Sequence, residues 1–333
     1  MRPLRVGACL SLTGPYARFG VQAAAALQAW RDLDGDAEVL IEDDGSDGAR
    51  LMPALHALAG RCDLLLGPYS TRLMRTAATV ATLADTLLWN HGGAGDGVQT
   101  AAPGHVVSVL TPATRYARPF VDLLAAGDPP GPLCLVAGRG GFGQLVCAGA
   151  EWVAGAAGLP ICRGLPDPED GAPWDLLCAG AFEEDVGLVT AVRASHHPPR
   201  LVCAVAAGVR EFGDATADPE GILGVAQWFP GTGGAPETGP PEPAFLAAYQ
   251  ERTGRLPDYP AVQAAAAASV AVHCARVAGG VDRGSLWAAA AALDLTTMFG
   301  DFRIDPVTGV QIGHETVLLR WTAEGRLAQA TGG

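Results

Sequence analysis

The sequence predicts an α/β protein built as two doubly wound lobes around a central cleft, and three observations carry that expectation. The chain has 333 residues, room for about two domains of ordinary size. Short apolar runs alternate with longer helical ones, the pattern of parallel strands covered by helices on both faces. The alternation runs through two similar series, and the helices that follow have no strands of their own. The chain is therefore expected to return to its first lobe, joining the lobes by several hinge crossings. A cleft between lobes is a common place for a ligand.

In the first series, strands are expected at 5–10, 39–42, 64–67, 87–90 and 106–110, with helices at 21–33, 49–59 and 71–83. The second series begins with a helix at 115–124 and a strand at 133–137. Helices at 144–156 and 184–194 then alternate with strands at 176–179, 201–205 and 223–226, with a helical turn at 209–212. The Pro/Gly-rich stretch 230–241 reads as a connector. Helices at 242–252, 261–278 and 286–292 follow. The segments 301–304 and 316–321 read as strand–turn–strand, with Asp305–Gly309 supplying the turn. The expected division is 1–114 with 241–310 for the N-terminal lobe, and 115–240 with 311–333 for the C-terminal lobe.

Hydrophobic residues make up 49% of the chain and charged residues 17%, enough to build a large core and too apolar for global disorder. The formal net charge of -13 argues against a nucleic-acid or anionic-membrane surface, which needs clustered Lys and Arg. No run reaches the roughly 18 apolar residues of a membrane span. Arg2 and Arg5 imitate the start of a signal peptide, but no apolar segment follows them before the first strand. The chain is thus expected to be cytoplasmic, or periplasmic or extracellular if a leader is missing from this sequence. Of the eight cysteines, Cys9, Cys134, Cys178 and Cys203 sit in apolar strand-like runs, where Cys acts as a small hydrophobe. Cys62, Cys147, Cys162 and Cys274 show no metal-ligand spacing, and no disulfide framework or metal site is expected.

One motif looks like chemistry. Gly138-Arg-Gly-Gly-Phe-Gly143 matches G-x-G-x-x-G after a strand and before a helix, the context of a dinucleotide fingerprint. The next strand, near 159–162, lacks a well-placed Asp or Glu at its end, and the motif sits mid-chain. There is no G-x-S-x-G elbow, no H-E-x-x-H and no P-loop. No catalytic residues and no cofactor are expected; an NAD-dependent oxidoreductase remains the rival reading.

The segments Leu10 to Gly20, Glu42 to Asp47, Leu66 to Thr71, Trp89 to Ala94, Gly141 to Gly143, Glu220 to Gly224, Tyr259 to Gln263 and Gly300 to Gln311 stand in an order and spacing that resemble a known family. It is the type 1 periplasmic binding proteins, and within it the leucine/isoleucine/valine-binding branch that feeds ABC importers. The resemblance implies a monomeric solute-binding protein. It would capture a small amino-acid-like or carboxylate/amide ligand in the interlobe cleft, close by hinge motion, and deliver the ligand to a membrane permease if exported. A cytoplasmic ligand sensor of the same fold is the alternative.

By the same resemblance, the ligand carboxylate is held by the hydroxyl of Ser70 or Thr71 and by backbone amides of Gly92, Gly93 and Ala94. The residues agree: a helix starting at Thr71 leaves unpaired amides, and paired glycines admit a close backbone approach. A helix cap at Ser70 and an ordinary turn at Gly92 would look the same. Aromatic walls are implied at Tyr16, Phe19, Phe142, Phe182 and Trp228. Asn90 and His91 replace the family's commoner Ser-Pro and offer further hydrogen bonds or a strand-end cap. The family's amine-binding acid is missing, because 205–208 reads Val-Ala-Ala-Gly. Either Glu183, Glu211 or Asp96 substitutes, or the ligand has no α-amine in the usual place.

Overall fold

The computed structural model describes residues 2–34, 36–127, 131–167 and 171–330. The chain divides into two compact units, Met1–Pro112 with Pro230–His314, and Ala113–Phe229 with Glu315–Gly333.

The first unit opens with β1 (Leu4–Leu10), α1 (Ala17–Asp34), β2 (Ala37–Asp43), α2 (Gly48–Ala59), β3 (Leu64–Leu66), α3 (Thr71–Leu83), β4 (Leu88–Asn90) and β5 (Val106–Ser108). Asp47 starts α2 by accepting from the amides of Ala49 and Arg50 at 2.7 and 3.1 Å. The spacing of Leu51, Leu55 and Leu58 puts one apolar face of α2 into a core with Leu73, Met74 and Ala77 of α3. The five strands are all parallel, in the order β2-β1-β3-β4-β5.

The second unit follows with α4 (Arg118–Ala126), β6 (Leu133–Ala137), α5 (Gly141–Ala156), β7 (Ile161–Arg163), β8 (Asp175–Ala179), α6 (Phe182–Arg193), β9 (Val202–Ala204), α7 (Glu211–Ala215) and β10 (Leu223–Ala226). Its parallel strands run β7-β6-β8-β9-β10, the order of the first sheet over again. The helix expected from 115 begins only at Arg118, after a short turn over 113–115. Pro119 explains the delay: it is harmless in a first helical turn but would clash inside a helix begun earlier.

The chain then returns to the first unit through α8 (Glu242–Thr253), α9 (Tyr259–Ala278), α10 (Arg283–Ala292) and the hairpin β11 (Leu295–Thr297) with β12 (Gly300–Phe302). Alanine-rich α9 packs on α1, α10, β3 and β4. By length and composition it is apolar enough to cross a membrane, but it is largely buried within the protein. The connector belongs to this unit rather than to the second lobe as expected. Glu237 explains why: its amide and carboxylate bond the Thr296 carbonyl and amide at 2.8 and 2.9 Å.

The tail corrects another expectation. The strands at 301–304 and 316–321 do not pair with each other. β12 pairs with β11, whereas β13 (Val317–Trp321) pairs antiparallel with β10 and with β14 (Leu327–Gln329) in the second unit. The Asp305–Gly309 turn is present, with Asp305 accepting from the Val307 and Thr308 amides, but it closes only a single bridge between Ile304 and Gln311.

Candidate ligand-binding site

Where the strand order of an open parallel sheet reverses, the loops at the carboxyl ends diverge and leave a crevice. In the first unit this point lies between β1 and β3. The loops after β1, β3 and β4 carry most of the residues singled out in the sequence.

Two of these loops are locked together. The Ser70 amide donates to the Gly92 carbonyl and the Gly67 amide to the Trp89 carbonyl, at 3.0 and 2.9 Å. Thr71 Oγ1 accepts from the Gly95 amide at 2.9 Å. Asn90, fully buried, is the centre of the block: its Oδ1 accepts from the amides of Gly92 and Gly93 at 3.2 and 2.8 Å. Its Nδ2 donates to the Gly93 carbonyl and to Ser108 Oγ, at 2.8 and 2.7 Å. The glycines are required by close approach. A Cβ on Gly92 would lie 2.7 Å from Tyr69 Cα, and one on Gly93 would lie 2.6 Å from Met74 Cγ.

This arrangement changes the roles read from the sequence. The Gly92 and Gly93 amides are given to Asn90, so Asn90 orders the loop from within. Ser70 caps α3, its Oγ accepting from the Leu73 amide at 3.3 Å. Ser70 also holds φ at +86°, a conformation costly for a residue with a Cβ, on the order of 1–3 kcal/mol. Such strain persists only where the surroundings over-determine it, here through the bonds to Gly92 and Leu73. Donors left by helix geometry are the first amides of α3, those of Thr71 and Arg72. His91 is fully buried, and neither ring nitrogen makes a hydrogen bond. Burial drives its pKa down to about 4, partly offset by the nearby Gly67 backbone, so the ring is neutral. Ala94 is buried and Asp96 half-buried in the same loop.

An aromatic group stands beside the block. Phe19 stacks on Tyr69 with ring centroids 4.2 Å apart, and Tyr16 lies 6.5 Å from the same ring. Tyr69 was not singled out in the sequence, although it lies inside the Leu66 to Thr71 segment.

In the second unit the reversal lies between β6 and β8. Phe142 and Phe182 stand in the first turns of α5 and α6, which leave these strands. Phe142 meets Tyr116 edge-on at 5.5 Å. Glu184 ties the two loops: its carboxylate accepts from the Arg139 and Ala181 amides at 3.1 Å and from Arg139 Nε at 2.7 Å. The glycine fingerprint serves this packing. A Cβ on Gly143 would strike the Ala179 carbonyl, and one on Gly138 would lie 2.5 Å from Gly180 Cα. Glu183 is exposed and Glu211 half-buried, each in a first helical turn, whereas Trp228 is buried and its indole Nε1 makes no hydrogen bond.

The acid that sequence reasoning missed is Asp185. It is 2% exposed, and its Oδ2 accepts from the Ala206 amide at 3.0 Å, at the strand end where the family's acid is absent. Burial raises its pKa to about 7, against the hydrogen bond from Ala206. A pattern of three acids opening α6 was the only available signal, and it does not say which one turns inward. Among the described residues no group of His, Cys, Asp or Glu could hold a metal ion.

Two sheets whose parallel strands share one order, each with ordered loops at its reversal point, define a two-unit α/β binding protein. The chain belongs to the periplasmic binding protein family, whose profile matches residues 3–326. Solved structures agree on the fold. A leucine binding protein, LivK, from Thermotoga maritima MSB8 is 13% identical, with 98% of each chain covered and a TM-score of 0.81. LivJ from Streptococcus pneumoniae, a branched-chain amino acid transporter substrate-binding protein in complex with isoleucine, is 14% identical over 98% of each chain, with a TM-score of 0.77. A solute binding protein of an ABC transporter from Rhodopseudomonas palustris BisB5, in complex with 3,4-dihydroxy benzoic acid, is 17% identical over 98% of this chain and 95% of its own, with a TM-score of 0.79. No curated protein matches the sequence. The family and fold are those of solute-binding proteins rather than of enzymes.

Proposed function

We propose that the protein is the solute-binding component of an ABC importer, working outside the cytoplasm without catalysis, and that its ligand is a small carboxylate. The observation that carries this reading is the pre-ordered block at the carboxyl end of the first sheet. Asn90 and Thr71 fix the loop, Ser70 is held in strain, and the α3 amides remain to receive an anion. Tyr16, Phe19 and Tyr69 beside it suit a flat or apolar ligand body.

Val205–Gly208 has no acid of its own to meet an ammonium group, and Asp185 at the same strand end is buried with its carboxylate engaged by the Ala206 amide. An unpartnered ammonium loses its hydration on binding, which costs about 3–5 kcal/mol, or on the order of a thousandfold in affinity. Carboxylates without an α-amine, of which hydroxybenzoates are an example, are therefore favoured over leucine and isoleucine. Calorimetry with 3,4-dihydroxybenzoate, 4-hydroxybenzoate, leucine and isoleucine tests this. The expected result is binding of a benzoate and weak or absent binding of the amino acids. The second reading, an amino-acid ligand, is favoured by the isoleucine-bound relative. Tight leucine binding would establish it, and loss of that binding in Asp185→Asn, Glu183→Gln, Glu211→Gln or Asp96→Asn would name the acid.

A further inference from the structure

We propose that Cys134 and Cys162 form a fold-directed dithiol that small-molecule disulfides oxidise to an intramolecular disulfide. The two residues are direct partners in the parallel pairing of β6 and β7. Partners in a parallel ladder put their side chains on the same face, with neighbouring strands about 4.8 Å apart. That separation falls within the roughly 4.4–6.8 Å between Cα atoms that a disulfide spans. The thiols are close enough for each to influence the other, and Cys162 also donates to the Gly164 carbonyl at 3.6 Å. Among the described residues, none of the other paired strands sets two cysteines opposite each other.

The two thiols have different access, which fixes the order of events. β7 ends its sheet, and Cys162 is half-buried on it. Cys134 is fully buried, and its pKa is pushed up to about 12, chiefly by burial and also by Cys162 and Asp175. Cys162 therefore reacts first. With glutathione disulfide, Cys162 loses its proton and its sulfur attacks one sulfur of the reagent. The reagent's S–S bond breaks, and one glutathione leaves as a thiol. Cys134 then loses its proton and attacks the Cys162 sulfur of the mixed disulfide, and the second glutathione leaves as a thiol. Two protein thiols are oxidised, and one glutathione disulfide is reduced to two glutathione thiols.

The test is peptide mapping of the full folded chain after incubation with glutathione disulfide and alkylation of the remaining thiols. The expected product is a peptide pair linked through Cys134 and Cys162, with the buried Cys9, Cys178, Cys203 and Cys274 still alkylated as thiols. The Cys134→Ala variant is expected to stop at a stable mixed disulfide on Cys162. Cys162→Ala is expected to leave Cys134 a thiol. The same incubation in denaturant is expected to scatter the linkages. A native wild type carrying only mixed disulfides, an unmodified Cys162, or Cys134 linked elsewhere would overturn the proposal, whatever the variants do.

Discussion

Asn90 illustrates how one side chain can replace a set of turn residues. It makes four hydrogen bonds in full burial, to Gly92, Gly93 and Ser108. Asn90→Ala takes the acceptor from the buried Gly92 and Gly93 amides, whereas Ser108 Oγ keeps its bond from Gln99. At about 1–3 kcal/mol for a stranded group, the variant is expected to lose roughly 3 kcal/mol of stability, read by urea unfolding. Asp185 presents the opposite case, an acid whose burial costs stability once it ionises. Glu184, Cys147, Cys178 and Cys203 face it, and each of these thiols is itself held protonated by burial. Its pKa is about 7 in the fold against 3.8 for the free group. The folded state thus binds the extra proton between these values. The stability from this group is fully present below about pH 4 and is lost as pH rises to 7, by on the order of 4 kcal/mol at most. Asp185→Asn keeps an acceptor for Ala206 but cannot ionise. It is expected to flatten the fall between pH 4 and 7 and to be more stable than wild type at pH 8. Identical pH profiles would show that Asp185 is not buried as an acid.

At the scale of elements, the packing of α3 against the β4 loop sets what a mutation there can report. A side chain at 93 meets Met74 before it meets any ligand. Gly93→Ala is therefore expected to cost about 1–3 kcal/mol, and adding Met74→Ala should recover part of it. The same elements show what a sequence discloses. The range of α3 follows from Ser70 and the apolar spacing after it, because cap and periodicity are local signals. The pairing of β13 does not: its partner β10 lies some ninety residues upstream, and the turn at Asp305–Gly309 offers a nearer, wrong one. Ser70, Thr71 and Gly92 were found as a group because they lie at strand ends. The use of their hydrogen bonds was hidden, since an Asn at a strand end can face a ligand or the backbone equally well. Asp185 was hidden for a similar reason, as three adjacent acids look alike until α6 is rotated into place.

For the whole molecule, the two sheets share one strand order, so each unit presents its reversal point in the same way. The proposed function then predicts a change in solution. A ligand engaging both units by hinge closure reduces the radius of gyration. X-ray scattering with and without saturating ligand reads this, and an unchanged profile would count against closure. Ligand at 100 times its dissociation constant should also stabilise the protein by about 2.7 kcal/mol, visible as a rise in melting temperature.

The interrupted first unit has a consequence for how the protein is made. Strands β1 to β5 leave the ribosome about 170 residues before the end of α9, the helix that covers β3 and β4. At roughly 5–20 residues per second, their apolar face waits about ten to thirty seconds for its cover. Meanwhile the five parallel strands of the second unit are completed without interruption. Nascent chains arrested with residue 230 just outside the exit tunnel are thus expected to resist protease within 113–229 while 1–112 is still cleaved. Chains released past residue 329, where β11 to β14 are also complete, should protect both. A holding chaperone would be needed most in the interval between these two lengths, and depletion of one should cause aggregation there first.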